Sequence, residues 1–170
     1  VEGSALHEIS SSRSHEAYRR VEFQPSLLTS VADINTTTEI FGKEVALPII
    51  FAPTGYTKLM HYSGEAAVAR VAVEKNLIYC LSTMGTTSPD ELAQEVPQSR
   101  RWFQVYVMRN REDTVRFVTQ AKENGFEALV LTLDTKVAGI RLRDLRNGLT
   151  VPPRISFSTF LNMLRKPRWW

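Results

Sequence analysis

The sequence predicts an α/β fold with a parallel sheet, of which this chain supplies four βα units, about the N-terminal half of a (β/α)8 barrel. Three observations carry that reading. Four short apolar runs recur along the chain, three amphipathic segments separate them, and each run ends in residues suited to ligand contact. Strands joined through helical crossovers lie parallel, because a tight turn can only reverse the chain.

The elements follow in order. Residues 1–21 are polar, with Ala5, Leu6, Ile9, Ala17, Tyr18 and Val21 at roughly helical spacing, which predicts one or two short helices. Residues 36–47 predict a hairpin about Gly42-Lys43. These 47 residues precede the repeats. Residues 48–147 hold the four βα units. The run 48–53 is the first strand; residues 64–75 form a helix with Ala67, Val68, Val71 and Ala72 on one face. Ile78-Tyr79-Cys80-Leu81 is the second strand. Ser88-Pro89 starts a helix, with the serine as cap and the proline in the first turn. Residues 102–107 are the third strand; residues 111–124 are a helix with Val115, Val118 and Ala121 in register, stopped by Asn124-Gly125. Residues 128–134 are the fourth strand. Residues 148–170 form a basic, Trp-containing loop.

Two closures suit such a pattern, an open doubly wound sheet and a barrel. An open nucleotide-binding sheet asks for a glycine-rich phosphate turn after a strand, and none of those patterns occurs. Polar strand ends fit the C-terminal rim of a barrel. A barrel needs about eight strands, and the chain opens on Val1 and closes on Trp169-Trp170, so a fragment is expected.

Composition narrows the function. With 43% hydrophobic and 23% charged residues the chain is an ordinary globular mixture. No run approaches the roughly 20 apolar residues of a membrane span. The lone Cys80 excludes an internal disulfide framework, and His7, His15 and His61 lack metal-ligand spacing, so zinc is not expected. Charge is uneven: residues 141–170 carry seven Lys and Arg against one acid, Asp144, whereas the first 140 carry fourteen against seventeen. Such a tail suits an anionic ligand, a membrane surface or nucleic acid.

The strand ends supply the candidate site. They are Pro53-Thr54-Gly55, then Ser82-Thr83-Met84, then Gln104 and Tyr106 two apart on one face, then Thr132 and Asp134, with Arg141 beyond a loop. Neutral donors and acceptors of this kind suit the edge of a flat heterocycle such as a flavin. Arg makes a two-point contact with a carboxylate, and Tyr adds a hydroxyl. Each also has an ordinary structural reading: Ser and Thr cap helices, Tyr106 packs in a core, Arg141 belongs to a solvated charge run, and Cys80 fills a strand. Gln104 resists such a reading, because a buried amide needs partners. No Ser-His-Asp or Cys-His arrangement and no general base is visible.

The ordered set Ala52-Pro53-Thr54-Gly55, Gly64-Glu65-Ala66-Ala67, Leu81-Ser82-Thr83, Trp102-Phe103-Gln104-Val105-Tyr106, Leu131-Thr132-Leu133-Asp134 and Gly139-Ile140-Arg141-Leu142-Arg143-Asp144 resembles the FMN-dependent L-2-hydroxy acid oxidase/dehydrogenase family over almost the whole chain, with the bacterial L-lactate dehydrogenase branch as the nearest likeness. Glu2-Gly3-Ser4-Ala5 is similar to that family's N-terminal segment. The resemblance implies an FMN cofactor and a (β/α)8 barrel that oxidises an L-2-hydroxy acid, lactate foremost. Pro53, Thr54 and Gly55 would lie against the flavin near N5. Ser82, Gln104 and Thr132 would bond its polar atoms. Tyr106 and Arg141 would hold the substrate carboxylate, and Met84 would line the side-chain pocket. Gly55 stands where many members, oxidases above all, have Ala, which points to an electron acceptor other than oxygen. The family's catalytic His and its phosphate-binding segments belong to the C-terminal half of the barrel, so no catalytic residue is expected in this chain, and that half would be its partner. The resemblance further implies a homo-oligomer, a tetramer, in the cytoplasm, with a peripheral contact at the inner face of the cell membrane through residues 148–170.

Two other readings compete. Another FMN barrel, such as an isomerase of an anionic substrate, would share the flavin-bonding residues and lack the Tyr106 and Arg141 pair. A non-catalytic module binding nucleic acid through the basic tail is disfavoured, because no recognition motif accompanies the charge.

Overall fold

The computed structural model describes residues 3–28, 30, 32–135, 137, 139–148, 160 and 164. In chain order the elements are α1 (Ile9–Arg19), β1 (Thr38–Ile40), β2 (Lys43–Val45), β3 (Ile50–Phe51), α2 (Thr57–Met60), α3 (Gly64–Glu74), β4 (Ile78–Ser82), α4 (Pro89–Glu95), β5 (Arg100–Tyr106), α5 (Arg111–Glu123), β6 (Ala128–Thr132) and α6 (Leu142–Arg146). Contacts divide them into two units. One holds Ile34–Asp134; the other joins the described residues of Val1–Asp33 to those of Thr135–Arg168.

In the unit Ile34–Asp134, a four-stranded sheet runs β3-β4-β5-β6, every neighbour parallel and every connection helical. Sheet order equals chain order, the arrangement of the first four units of a (β/α)8 barrel. Registers pair Ser82 with Gln104 and Tyr106 with Thr132. Side chains alternate, so Ile78, Cys80 and Ser82 share one face with Trp102, Gln104 and Tyr106, and with Val130 and Thr132. Tyr79, Leu81, Phe103 and Val105 occupy the opposite face. That second face carries the apolar core, packed on Ala66, Ala69 and Ala72 of α3, Leu92 of α4 and Ala121 of α5. Burying each Leu or Phe there contributes about 1.5–3 kcal/mol.

Local chemistry sets the helix ends. Ser88 accepts from the Glu91 amide while the Glu91 carboxylate accepts from the Ser88 amide, with Pro89 following. The Asn110 side chain caps α5, and Gly125 ends the turn after it at φ +70°. The β1–β2 hairpin lies at the N-terminal ends of β5 and β6. Phe41 stacks at 5.4 Å on Trp102, and Arg100 reaches the Ile40 carbonyl at 3.1 Å and the Glu127 carboxylate at 2.9 Å.

Three details differ from expectation. Residues 48–53 pair only at Ile50–Phe51, because Pro48 and Pro53 bring no amide donors to the ladder. Helix α3 buries Glu65, Ala66, Ala69 and Ala72, and leaves Val71 exposed. Its alanines permit close approach to the sheet, and the bulkier valines flank that contact. On α5, Phe117, Val118 and Ala121 face the core and Val115 is exposed.

In the other unit, the segment before α1 meets the segment carrying α6. The Leu6 amide donates to the Ile140 carbonyl at 2.8 Å, and the Gly3 amide to the buried Asp144 carboxylate at 3.1 Å. Glu8 pairs with Arg143. One helix forms among the described residues of 1–21, where one or two were expected.

Candidate functional site

The C-terminal ends of β4, β5 and β6 carry a connected set of neutral polar groups. Gln104, 3% exposed, is its centre. Its Oε1 accepts from Ser82 Oγ at 3.1 Å and from the Thr83 amide at 3.3 Å. Its Nε2 donates to Thr132 Oγ1 at 2.8 Å, across the diagonal between β5 and β6. Ser82 Oγ in turn accepts from the Met84 amide at 3.1 Å. The amide is thereby oriented unambiguously: Oε1 faces two donors, and Nε2 faces an acceptor. Among the described residues, neither the second Nε2 hydrogen of Gln104 nor the hydroxyl hydrogen of Thr132 has a partner. Both remain available to a ligand over the strand ends.

Two loops border this set. After β3 come Pro53, Thr54 and Gly55, with Thr54 and Gly55 exposed. The Thr54 hydroxyl lies 3.4 Å from that of Thr57. After β4 comes Met84, 39% exposed. The loops touch: the Tyr56 amide donates to the Met84 carbonyl at 2.9 Å, and a Cβ on Gly55 would lie 3.0 Å from the Met84 Cβ. Gly55 is therefore where one loop comes close to the other. Tyr106 is half-buried at the end of β5, its amide held by Thr83 Oγ1 at 3.1 Å. Arg141 belongs to the other unit, where it is exposed at the start of α6. The structure thus joins Ser82, Gln104 and Thr132 directly. It sets Gly55 against Met84, and leaves Thr54 bonded within its own loop.

Two residues that the sequence reading quoted without a role hold the site together. Thr83 ties the strand ends, donating to the Gln104 carbonyl at 2.6 Å while accepting from the Tyr106 amide. Glu65, fully buried in the first turn of α3, binds the loop after β4. No spacing rule links it to a loop 21 residues away; its only signal is an acid inside an alanine-rich helix start. Cys80 is buried on the same face as Gln104, and burial pushes its thiol up to about 11, against the pull of the Gln104 backbone hydrogen bond. It is a filler, not a nucleophile.

A parallel sheet in chain order with polar groups gathered at its C-terminal edge defines the ligand-binding rim of a (β/α)8 barrel. The chain belongs to the FMN-dependent dehydrogenase family, which it matches over residues 1–170. It is 39% identical over its whole length to the Mycobacterium tuberculosis protein named "Putative L-lactate dehydrogenase", covering 41% of that protein. It is 38% identical to glycolate oxidase of Spinacia oleracea over 85% of this chain and 39% of the other. Among solved structures, the monotopic membrane protein (S)-mandelate dehydrogenase superposes with TM-score 0.89 at 32% identity, over 99% of this chain and 44% of that one. A mandelate oxidase holding an FMN adduct superposes with TM-score 0.80 at 35% identity, over 92% and 47%. The chain therefore spans about two fifths of the length of these relatives. FMN is the cofactor of the family, and the unspent hydrogens of Gln104 and Thr132 fit the acceptor atoms of a flavin.

Proposed function

We propose that this chain contributes the first four βα units of an enzyme that oxidises an L-2-hydroxy acid, L-lactate foremost, to the 2-oxo acid with FMN. The hydrogen-bonded set Ser82–Gln104–Thr132 carries this reading. Bound FMN would take up the two electrons that leave the substrate α-carbon. Ser82, Gln104 and Thr132 would hold its polar edge. Pro53, Thr54 and Gly55 would present backbone to its reactive face. Tyr106 and Arg141 would bind the substrate carboxylate, the guanidinium at two points, and Met84 would bound the side-chain pocket. The catalytic base is assigned to no residue of this chain. Gly55 favours an electron carrier over oxygen as the final acceptor.

The test is anaerobic. The complete enzyme, this chain together with the C-terminal half of its barrel, should be yellow when loaded with FMN, and L-lactate should bleach it. A protein that retains no flavin, or a loaded one left yellow by both L-lactate and L-mandelate, would overturn the reading.

Peripheral membrane contact is part of this proposal. Its support is the sequence of residues 148–170, of which 149–159, 161–163 and 165–170 lie outside the described residues, together with the monotopic relative. Basic and aromatic residues suit an anionic interface. No helix among the described residues is long and apolar enough to cross a membrane. The full-length enzyme should sediment with anionic liposomes at low salt and be released at high salt. Equal sedimentation of a variant lacking residues 155–170 would refute the contact.

A further inference from the structure

Glu65 is fully buried, and no cation reaches it among the described residues. A carboxylate in that position needs donors. It has three: the Thr86 amide at 2.6 Å, the Thr86 hydroxyl at 2.8 Å and the Thr87 hydroxyl at 2.8 Å. All three give hydrogens, so the group they surround is the ionised acceptor. The Thr86 hydroxyl spends its single hydrogen on Glu65. Its lone pairs then face outward, and one accepts the Lys58 amide at 3.0 Å. Lys58 lies in α2, within the loop that follows β3. Thr86 lies in the loop that follows β4.

One buried carboxylate therefore fixes the direction of a hydrogen bond joining two loops. A second link, from the Tyr56 amide to the Met84 carbonyl, joins the same loops two residues nearer β3 on one side and two residues nearer β4 on the other. The second link is made by Tyr56, whose φ of +58° a side-chain-bearing residue rarely adopts. Such a conformation persists only when its surroundings hold it. The first loop carries Pro53, Thr54 and Gly55; the second carries Met84.

We propose that Glu65 is a positioning residue whose carboxylate, acting through the Thr86 hydroxyl, clamps the loop after β3 to the loop after β4 and so fixes the flavin-facing turn Pro53-Thr54-Gly55 against Met84. The proposal rests on the FMN reading above for what those loops touch; the clamp itself rests on the distances. Burial works to raise the Glu65 carboxyl, but the Thr86 and Thr87 hydrogen bonds hold it below the ordinary range, in accord with an ionised group.

The test compares Thr86→Val with Thr87→Val in the complete enzyme, this chain together with the C-terminal half of its barrel. Thr86→Val removes the hydroxyl that joins Glu65 to Lys58, whereas Thr87→Val removes a bond that ties the second loop to Glu65 of α3 and does not reach the first loop. Two quantities are read: hydrogen exchange at the Tyr56 and Lys58 amides without flavin, and the Kd for FMN added to apoprotein. Thr86→Val, and Glu65→Gln with it, should speed exchange at both amides and raise the FMN Kd by about two- to tenfold, the worth of one hydrogen bond. Thr87→Val should leave both within about twofold of wild type. In the loaded enzyme, Thr86→Val should change KM for bulky against small 2-hydroxy acids more than it changes kcat. Unchanged Lys58 exchange in Thr86→Val, or equal effects of the two valine variants, would overturn the clamp. Failure of wild type to bind FMN would overturn the functional reading instead, and the exchange measurement would still decide the clamp.

Discussion

A buried amide in an apolar strand is tolerated only when its hydrogen bonds are made, and Gln104 makes three while keeping one hydrogen in reserve. That reserve is what the FMN contact proposed for Gln104 would use. It was legible in the sequence because an amide between Phe103 and Val105 has no ordinary reason to be there. Tyr79 shows the opposite case. Its hydroxyl is buried in the helix-facing core with no partner among the described residues, and burial, with the Glu65 charge behind it, raises its pKa. The aromatic ring does the packing, so Tyr79→Phe should leave stability unchanged or raise it by about 1 kcal/mol in urea unfolding. Glu65 was illegible because its partners are assigned only by the fold. Its acid behaviour is nevertheless predictable. With burial outweighed by hydrogen bonds, its folded pKa lies below the ordinary 4.5. Its contribution is complete above that ordinary value and is lost as pH falls through the lower folded one. Glu127 is lowered too, its burial outweighed by Arg100 and Lys43, and titrates in the same acidic window. Glu65→Gln should therefore be less stable than wild type at neutral pH, and its stability should fall less steeply as pH drops below the ordinary carboxylate value of 4.5.

At the level of elements, what the sequence made plain was whatever depends on neighbours along the chain. Ser88 with Glu91, and Asn124-Gly125, are local devices, and both helix ends fall where those residues predict. Ser88→Ala should cost about 1 kcal/mol of unfolding free energy, because it leaves the Glu91 amide of α4 without its acceptor. Which face of a helix turns inward depends instead on the shape of the sheet beneath it. The spacing in α3 placed Val71 in the core, yet Ala66, Ala69 and Ala72 pack there, since small side chains let the helix lie closer. The β3 loop illustrates the same limit. Nothing in Pro53-Thr54-Gly55 announces that Met84 will sit beside it. With an added Cβ only 3.0 Å from the Met84 Cβ and 3.3 Å from its carbonyl oxygen, Gly55→Ala must push apart two segments held by backbone. The expected cost is about 1–3 kcal/mol in thermal unfolding, with faster exchange at the Tyr56 amide. Unchanged stability would mean that the loops separate freely.

Across the unit Ile34–Asp134, the two ends of the sheet do different work. At the N-terminal ends of β5 and β6, Arg100 donates through Nε and Nη2 to Glu127, which also accepts from Lys43 at 2.7 Å, and Arg100 reaches the hairpin carbonyls of Ile40 and Glu44. Every bond there ends on the protein itself. At the C-terminal ends, the bonds among Ser82, Gln104 and Thr132 leave capacity unspent. Under the proposed FMN site, a sheet stabilised at one end and binding at the other should separate those properties under mutation. Glu127→Gln strips the carboxylate from a partly buried guanidinium and should cost about 1–3 kcal/mol, less than a fully buried pair because both side chains keep some exposure. Its FMN affinity should stay within about twofold of wild type. Gln104→Leu removes the centre of the polar set and should weaken FMN binding by about tenfold, the worth of the one hydrogen bond Gln104 would give. Urea unfolding and FMN titration on the same two preparations decide the matter. Equal losses of affinity in both variants would show that the cofactor site reports global stability, and that the division between the two ends of the sheet is wrong.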